Sequence, residues 1–453
     1  MNDLIIKQFR DFSLDLYELI FPRELDLGEP LAPKAGNLVK VVVGMRRSGK
    51  SYRLLQEMKR LVQSGVPKSR LLYFNFEDDR LLPITPRTGD EVLEAFTYLY
   101  PDAFTEGAYL FFDELQEMDG WGTWLRRVVD TTRATIYVSG SSSKMLSTEV
   151  ATEFRGRAID FELLPLSFRE YVAWRLQGEI DVPSCAYSTA ERAKLQAAFR
   201  DYVQEGGFPA ALGLARPQAT ALLQSYAQRV VSRDVVERHN VAKPRVATLF
   251  AQRALSLNGR QISVRKVAND MKSAGLSTSR ETLGDLLGYL EEAYLLFQVR
   301  ERSYSLSEST TAMPKVYAVD PGLALANARA QALDEGQCLE NAVYLELRRR
   351  AGAAGLRSEG ITSLRTGEHG YEVDFAVGDA WAGNALELYQ VAANVGDPAT
   401  LNRELRALRE AMAEQGLSCG TLVVGEGERA TYEADGAVVE QVPAWEWFLG
   451  GLS

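Results

Sequence analysis

A chain of 453 residues, 46% hydrophobic and 25% charged, is long enough for about three domains and can bury sizeable cores. Its net charge of −10 argues against a broadly basic nucleic-acid face, although a local patch stays open. Two histidines leave little material for histidine triads or multi-histidine metal sites, and no apolar run approaches the ~20 residues of a membrane helix. Cys185, Cys338 and Cys419 are too dispersed for a zinc knuckle and too few for a disulfide framework. The opening MNDLIIKQFRDF lacks the apolar core of a signal peptide, so a cytoplasmic location is expected.

After an N-terminal segment (1–37), LVKVVV suits a short buried strand. GMRRSGKS (44–51) follows, and YRLLQEMKRLV then carries Leu54, Leu55, Met58 and Leu61 at helical spacing. A strand, a glycine-marked loop and a helix in that order form a phosphate cradle. Gly44 and Gly49 let the backbone curl its N–H groups toward a phosphate, and Lys50 reaches the β- and γ-phosphates. The Ser51 hydroxyl suits Mg²⁺, and the helix N-terminus adds its dipole. The whole run Gly44, Met45, Arg46, Arg47, Ser48, Gly49, Lys50, Ser51 and Tyr52 is the expected nucleotide contact.

YLFFDE (109–114) is a short apolar strand ending in two carboxylates. Asp113 suits the metal, usually through water, and Glu114 suits polarising an attacking water. ATIYVSGSSSKML runs from a strand into serines. Ser139 or Ser141 suits the γ-phosphate or the water, and an N-cap for a helix beginning near Lys144 is the plainer reading. In TEFRGRAIDFELL, Arg155 and Arg157 precede a further strand at the far edge of the nucleotide domain. There an arginine suits a neighbouring subunit's nucleotide, or else a surface salt bridge.

YVQEGGFPAAL marks a glycine turn among helices. QISVRKVANDM is one short helical pattern. TSRETLGDLLGYLEEAYLL is a second, with Thr278 and Glu281 as a capping box and an apolar face of Leu283, Leu286, Leu287, Leu290 and Tyr294. The second helix shows Arg280 beside Asp285, Glu291 and Glu292, so packing suits it better than reading DNA. ENAVYLELRRR (340–350) is helical, GYEVDFAV (370–377) and ALELYQVAANV (385–395) are strands, and LNRELRALREAM is a helix.

In combination, GMRRSGKS, FFDELQEMDGW, SGSSSKML, RGR with LLPLSFREY, YVQEGGFPAAL, RDVVERHNV and PKVYAVDPGLA resemble one prokaryotic family of AAA-type P-loop ATPases, over roughly residues 38–430. In that family the core is fused to a C-terminal domain of unknown function. The resemblance implies an α/β chain with an AAA-type P-loop ATPase core (38–165), a helical lid (166–240), a winged-helix-like middle (241–305) and a restriction-endonuclease-like domain (306–453). It implies ATP and Mg²⁺ as cofactors, a homo-oligomer with a ring as one form, and an unidentified protein client. In active nucleases of that fold a helix Glu, a strand Asp and a Glu-x-Lys hold Mg²⁺. Glu340 and Asp374 match, but Gln390 and Ala392 stand at the third motif. Glutamine brings no charge to a hard cation, and Glu387 falls on the opposite strand face. The expectation is therefore an ATPase coupling nucleotide state to conformational change or assembly, with a degenerate nuclease-like domain. Weak DNA contact through Arg348, Arg349 and Arg350 is allowed for. The rival readings are an ATP-gated nuclease and a nucleotide-dependent interaction protein with negligible turnover.

Overall fold

The computed structural model describes residues 2–17, 21–141, 157–182, 186–302, 313–328, 333–353, 360–378, 386–434 and 436–450. The chain divides into two compact units, Met1–Leu163 with Glu292–Tyr294 and Leu164–Glu291 with Leu295–Ser453.

The first unit is built on five parallel strands: β1 (Val39–Val43), β2 (Leu71–Asn75), β3 (Ala108–Asp113), β4 (Ala134–Gly140) and β5 (Ala158–Glu162). Their order is β2-β3-β4-β1-β5. β1, β3 and β4 are buried along their whole length, as apolar runs covered on both faces must be. β5 forms one edge and is half exposed. The decisive feature is β4, which lies between β1 and β3 with Val42 level with Ser139 and Phe112 level with Val138. Three strand ends that are distant in sequence therefore open side by side, where α/β sheets bind ligands. Residues 1–37 belong to this unit, burying Leu14 and Leu27 in one cluster with Leu54, Leu55 and Met58.

The second unit starts with helices Phe168–Leu176, Thr189–Glu205, Arg216–Arg229 and Pro244–Leu255. Helices Val264–Ser273 and Arg280–Glu292 follow, with a small antiparallel sheet of β6 (Arg260–Gln261), β7 (Leu296–Val299) and β8 (Lys315–Ala318) in the order β6-β8-β7. The second of these helices is capped by Ser279, whose Oγ accepts from the Thr282 N–H at 3.0 Å, one residue later than the expected Thr278. A six-stranded sheet completes the unit: β9 (Ile361–Arg365), β10 (Glu372–Val377), β11 (Glu387–Asn394), β12 (Cys419–Glu426), β13 (Ala430–Ala434) and β14 (Ala437–Pro443). Its order is β13-β14-β12-β11-β10-β9, and β11, β12 and β14 run parallel. Helix Pro398–Gln415 covers it through Leu405, Leu408 and Met412.

Four distant stretches meet in one buried polar knot. The Leu166 N–H donates to Gly207 O at 2.8 Å, and the Gly207 N–H donates to Asp320 Oδ2 at 2.6 Å. Asp320 Oδ1 also accepts from the Leu323 N–H at 2.8 Å. Arg349 Nη2 donates to Pro165 O at 2.9 Å, and Tyr202 OH donates to Leu166 O at 3.0 Å. Side chains have no room here: a Cβ on Gly322 would lie 2.1 Å from Glu205 O, and one on Gly207 2.5 Å from Leu166 O. The motifs LLPLSFREY, GGFP and AVDPGLA, far apart in sequence, thus meet where their backbones touch.

Gly322→Ala should lower the unfolding free energy by about 2–4 kcal/mol, because backbone must move to admit the methyl group. Gly284→Ala is the control: this exposed helical glycine has open space around its Cβ position. It should gain about 0.5–1 kcal/mol. Urea unfolding of both variants checks the opposite signs.

Candidate functional site

β1 ends at Val43 and the loop turns at once. Gly44 has φ 150°, and a Cβ there would lie 2.2 Å from Leu163 O, so no side chain fits. Arg47 and Gly49 take positive φ (71° and 103°) and curl the loop over the start of helix Lys50–Gln63. The N-cap of that helix is Gly49, which has no side chain to cap it. Ser48 Oγ is buried with no hydrogen-bond partner among the described residues. Uncapped N–H groups, an orphaned hydroxyl and a buried ammonium at Lys50 suit a phosphate.

Within the expected contact run the side chains do different things. Met45 is fully buried in the core, so only its backbone is offered to the loop. Arg46 pairs with Glu77 (2.9 Å) and Glu117 (2.8 Å) and stands 3.8 Å from Glu114. Arg47 and Tyr52 are more exposed. Lys50 Nζ donates to Met45 O at 3.3 Å and lies 3.4 Å from Glu114 Oε1.

The acidic pair is held tightly. Asp113 is fully buried at the end of β3, where it accepts from Tyr73 OH (2.7 Å) and from the hydroxyl of Ser139. Burial, together with the neighbouring Glu114 charge, raises its carboxyl above the ordinary value. Glu114 turns out of the strand with φ 50°, a left-handed conformation that re-aims its side chain. Burial works against its charge, but Lys50 and Arg46 outweigh that and hold the carboxyl below its usual range. Its backbone N–H donates to Ser139 Oγ at 3.1 Å, and Gln116 Nε2 bridges Glu114 and Ser141 Oγ, the latter at 3.2 Å. Ser139 therefore orients the acidic pair, a role beyond either sequence reading; the helix expected near Lys144 lies outside the described residues. Tyr73, Gln116, Glu77 and Glu117 were not foreseen. Gln116 and Glu117 carry the faint signal of following the carboxylates in sequence.

Arg157, just before edge strand β5, pairs with Asp130 at 2.7 Å, and both are about half exposed. Arg155 lies outside the described residues. Arg348, Arg349 and Arg350 form no free basic stripe. Arg348 stacks 3.9 Å over Phe297, Arg349 donates to the backbone at Pro165 and Leu166, and Arg350 stacks 4.0 Å over Trp447 and pairs with Glu346 (3.1 Å). Packing thus already engages the three cations for which a weak DNA contact was allowed.

In the second unit, Glu340 and Asp374 do come together, but around an ammonium that no linear spacing announced. Lys315 Nζ, from β8, lies 3.0 Å from Glu340, 3.3 Å from Asp374 and 2.6 Å from Glu372. Tyr317 OH donates to Glu340 Oε1 at 2.6 Å. Gln390 Oε1 accepts from the Asp374 N–H (3.3 Å), while its Nε2 donates to Glu404 Oε2 (2.8 Å). Ala392 is a buried core residue. Burial alone would lower the Lys315 pKa, but the three carboxylates overcome it and raise it. Burial and the Glu340 charge, against the pull of Lys315, push Asp374 up to about 7.

Against known proteins, a family model described as an AAA domain matches residues 36–172. Another, a domain of unknown function (DUF8612), matches 196–334. An uncharacterized protein of Methanocaldococcus jannaschii is 32% identical over 419 residues, 91% of this chain and 88% of the relative. One of Haemophilus influenzae is 26% identical over 329 residues, 72% of this chain and 78% of the relative. Among solved structures, a Walker-type ATPase of Pyrococcus abyssi aligns with a TM-score of 0.43 at 14% identity, covering 64% of this chain and 90% of that one.

Lys315→Met should destabilise the chain by about 3–5 kcal/mol at pH 8, because it leaves buried carboxylates without their cation. A carboxyl raised in the folded state binds its proton more tightly there than when unfolded. Folded stability therefore recovers as pH falls, and the penalty should shrink by pH 5.5. Urea unfolding at the two pH values checks both size and sign.

Proposed function

The chain belongs to the AAA-type P-loop ATPase family, and from that membership we propose that it binds ATP with Mg²⁺, hydrolyses it, and couples nucleotide state to conformational change or assembly. The observation that carries this is the meeting of Lys50 and Glu114 at 3.4 Å beside the fully buried Asp113, at the start of the helix that carries Ser51. Backbone from Gly44 to Tyr52 cradles the phosphates, with Lys50 supplying a mobile charge. Ser51 and Asp113 are the metal-side residues, and Mg²⁺ would neutralise charge on the phosphates. Glu114, kept ionised by Lys50 and Arg46, polarises the attacking water. Ser139 and Ser141 hold the acidic turn and face the γ-phosphate side.

Arg157, with Arg155 as the alternative, acts on a neighbouring subunit's nucleotide in a homo-oligomer. Its place beside the half-exposed edge strand β5 supports this, and the Asp130 salt bridge is the competing use. Residues 166–240 serve as the lid. Helices Val264–Ser273 and Arg280–Glu292 with β6 and β7 support a winged-helix-like reading of 241–305, although their sheet also takes β8 from beyond that range, and the mixed sheet with helix Glu335–Ala353 supports the nuclease-like one. The C-terminal domain serves in binding or assembly with a client protein.

Lys50→Ala should lose nucleotide affinity by orders of magnitude. Glu114→Gln should still bind but turn over at least about 100-fold more slowly. Titration with a fluorescent ATP analogue and a phosphate-release assay distinguish the two, and unchanged turnover in Glu114→Gln removes it from the site. Mixing Lys50→Ala with Arg157→Ala subunits should restore some activity if sites are shared between subunits; a specific rate independent of protein concentration counts against that.

An ATP-gated nuclease is the second reading, and Lys315 is what favours it, since it brings a lysine to Glu340 and Asp374. Against it, that ammonium sits where a cation would bind, and Gln390 and Glu404 are tied to each other. The expectation is no cleavage of plasmid or labelled duplex with Mg²⁺ or Mn²⁺, with or without ATP. Metal-dependent nicking that Asp374→Ala abolishes would promote the nuclease.

A further inference from the structure

The stretch FPRELDLGEPLAPKAGN (21–37) carries no recognised motif and has almost no regular secondary structure, yet it is fixed nearly residue by residue. Gln56 binds the backbone of Arg23 at both ends, accepting from its N–H at 2.9 Å and donating to its carbonyl at 3.1 Å. Arg53 Nε donates to Leu25 O (2.8 Å), Arg60 Nη1 to Gly28 O (3.0 Å) and Lys40 Nζ to Glu29 O (2.7 Å). Farther along, Thr135 Oγ1 donates to Leu31 O (2.7 Å) and Asn37 Nδ2 to Ala32 O (3.0 Å). Leu27 is fully buried among Leu54, Leu55 and Met58. A segment that cannot form a ladder is thus held by side chains of helix Lys50–Gln63, β1 and β4, all of them elements of the phosphate-loop unit.

The consequence of that anchoring is the position of one side chain. Arg23 is only 7% exposed, and its Nη1 donates to Ser48 O at 2.6 Å. The same nitrogen would lie 3.2 Å from a Cβ on Gly49. The Ser48 carbonyl and the Gly49 N–H belong to one planar peptide and point in opposite directions. A guanidinium that fixes the carbonyl on one side aims the N–H to the other, toward the space curled over by the loop. Gly49, with φ 103°, is where the loop backbone is otherwise freest. A charge-assisted hydrogen bond at that peptide removes the freedom before any ligand arrives, and ordering in advance is what improves affinity.

We propose that Arg23 is a positioning residue for nucleotide: it sets the Ser48–Gly49 peptide so that the loop is preorganised for the phosphates, and it adds a fixed positive charge behind them. This rests on the nucleotide-binding reading of residues 44–52. Arg23 touches the loop and not the phosphates, so it acts on affinity more than on the chemical step.

The test compares wild type, Arg23→Gln, Arg23→Lys and Lys50→Ala, each as the full chain. A fluorescent ATP analogue with Mg²⁺ gives the Kd, phosphate release gives kcat, and thermal unfolding without nucleotide gives stability. Arg23→Gln should weaken binding roughly tenfold, the size of one charge-assisted hydrogen bond. Its kcat should stay within about twofold and its melting temperature close to wild type, and Arg23→Lys should recover part of the affinity. Unchanged affinity in Arg23→Gln while Lys50→Ala loses nucleotide overturns the proposal alone. So does a loss that follows only from a fall in melting temperature. If Lys50→Ala binds as wild type does, the nucleotide-site reading itself falls.

Discussion

Two neighbouring carboxylates, Asp113 and Glu114, end a fully buried strand almost out of reach of water, and the C-terminal end of the parallel sheet is organised around that cost. Desolvation of adjacent like charges is expensive, so each oxygen needs a donor or a cation. Asp113 is given hydroxyls, from Tyr73 and Ser139, which lower its pKa without offsetting burial, so it stays above its ordinary value. Glu114 is given cations, Lys50 and Arg46, which take it below. Two adjacent residues of the same chemistry are thereby driven to opposite protonation tendencies by the partners that the fold gives each of them.

That arrangement depends on strand order. Hydroxyls on β4 can serve carboxylates on β3 only because the sheet sets them beside each other, and the loop after β1 adjoins them on the other side. The left-handed turn at Glu114 adds the last adjustment, moving its carboxylate toward Lys50. Arg46, tied to Glu77 and Glu117, fixes the opposite flank. The segment 21–37 carries the same logic to the outer face of the loop, where Arg23 takes the Ser48 carbonyl.

The second unit follows the rule that buried charge must be answered, with a different result. Lys315 answers Glu340, Asp374 and Glu372, and backbone amides with Arg349 nearby answer Asp320. The carboxylates of both clusters have protein partners, in contrast with the hydroxyl of Ser48, orphaned among the described residues, and the helix that begins after Gly49. The most recognisable motifs of this unit, GGFP and AVDPGLA, are explained by close backbone approach.

What the sequence by itself determined is what lies close along the chain. An apolar strand, a glycine loop and an amphipathic helix between residues 38 and 62 follow from local period and local backbone freedom. The pair Asp113–Glu114 is legible because its two members are adjacent. The α/β class followed from the resemblance carried by the motifs, and the parallel order of the strands is seen only in the structure. Tertiary structure decided every contact that closes a long loop, which no spacing encodes. Tyr73 stands 40 residues from Asp113, Arg23 stands 25 from Ser48, and Lys315 stands 25 and 59 from Glu340 and Asp374. Reading the C-terminal carboxylates in order found Gln390 and Ala392 where charge was wanted. The lysine that neutralises them comes from β8, in another sheet, because a buried charge is satisfied by whatever donor the fold brings within about 3 Å.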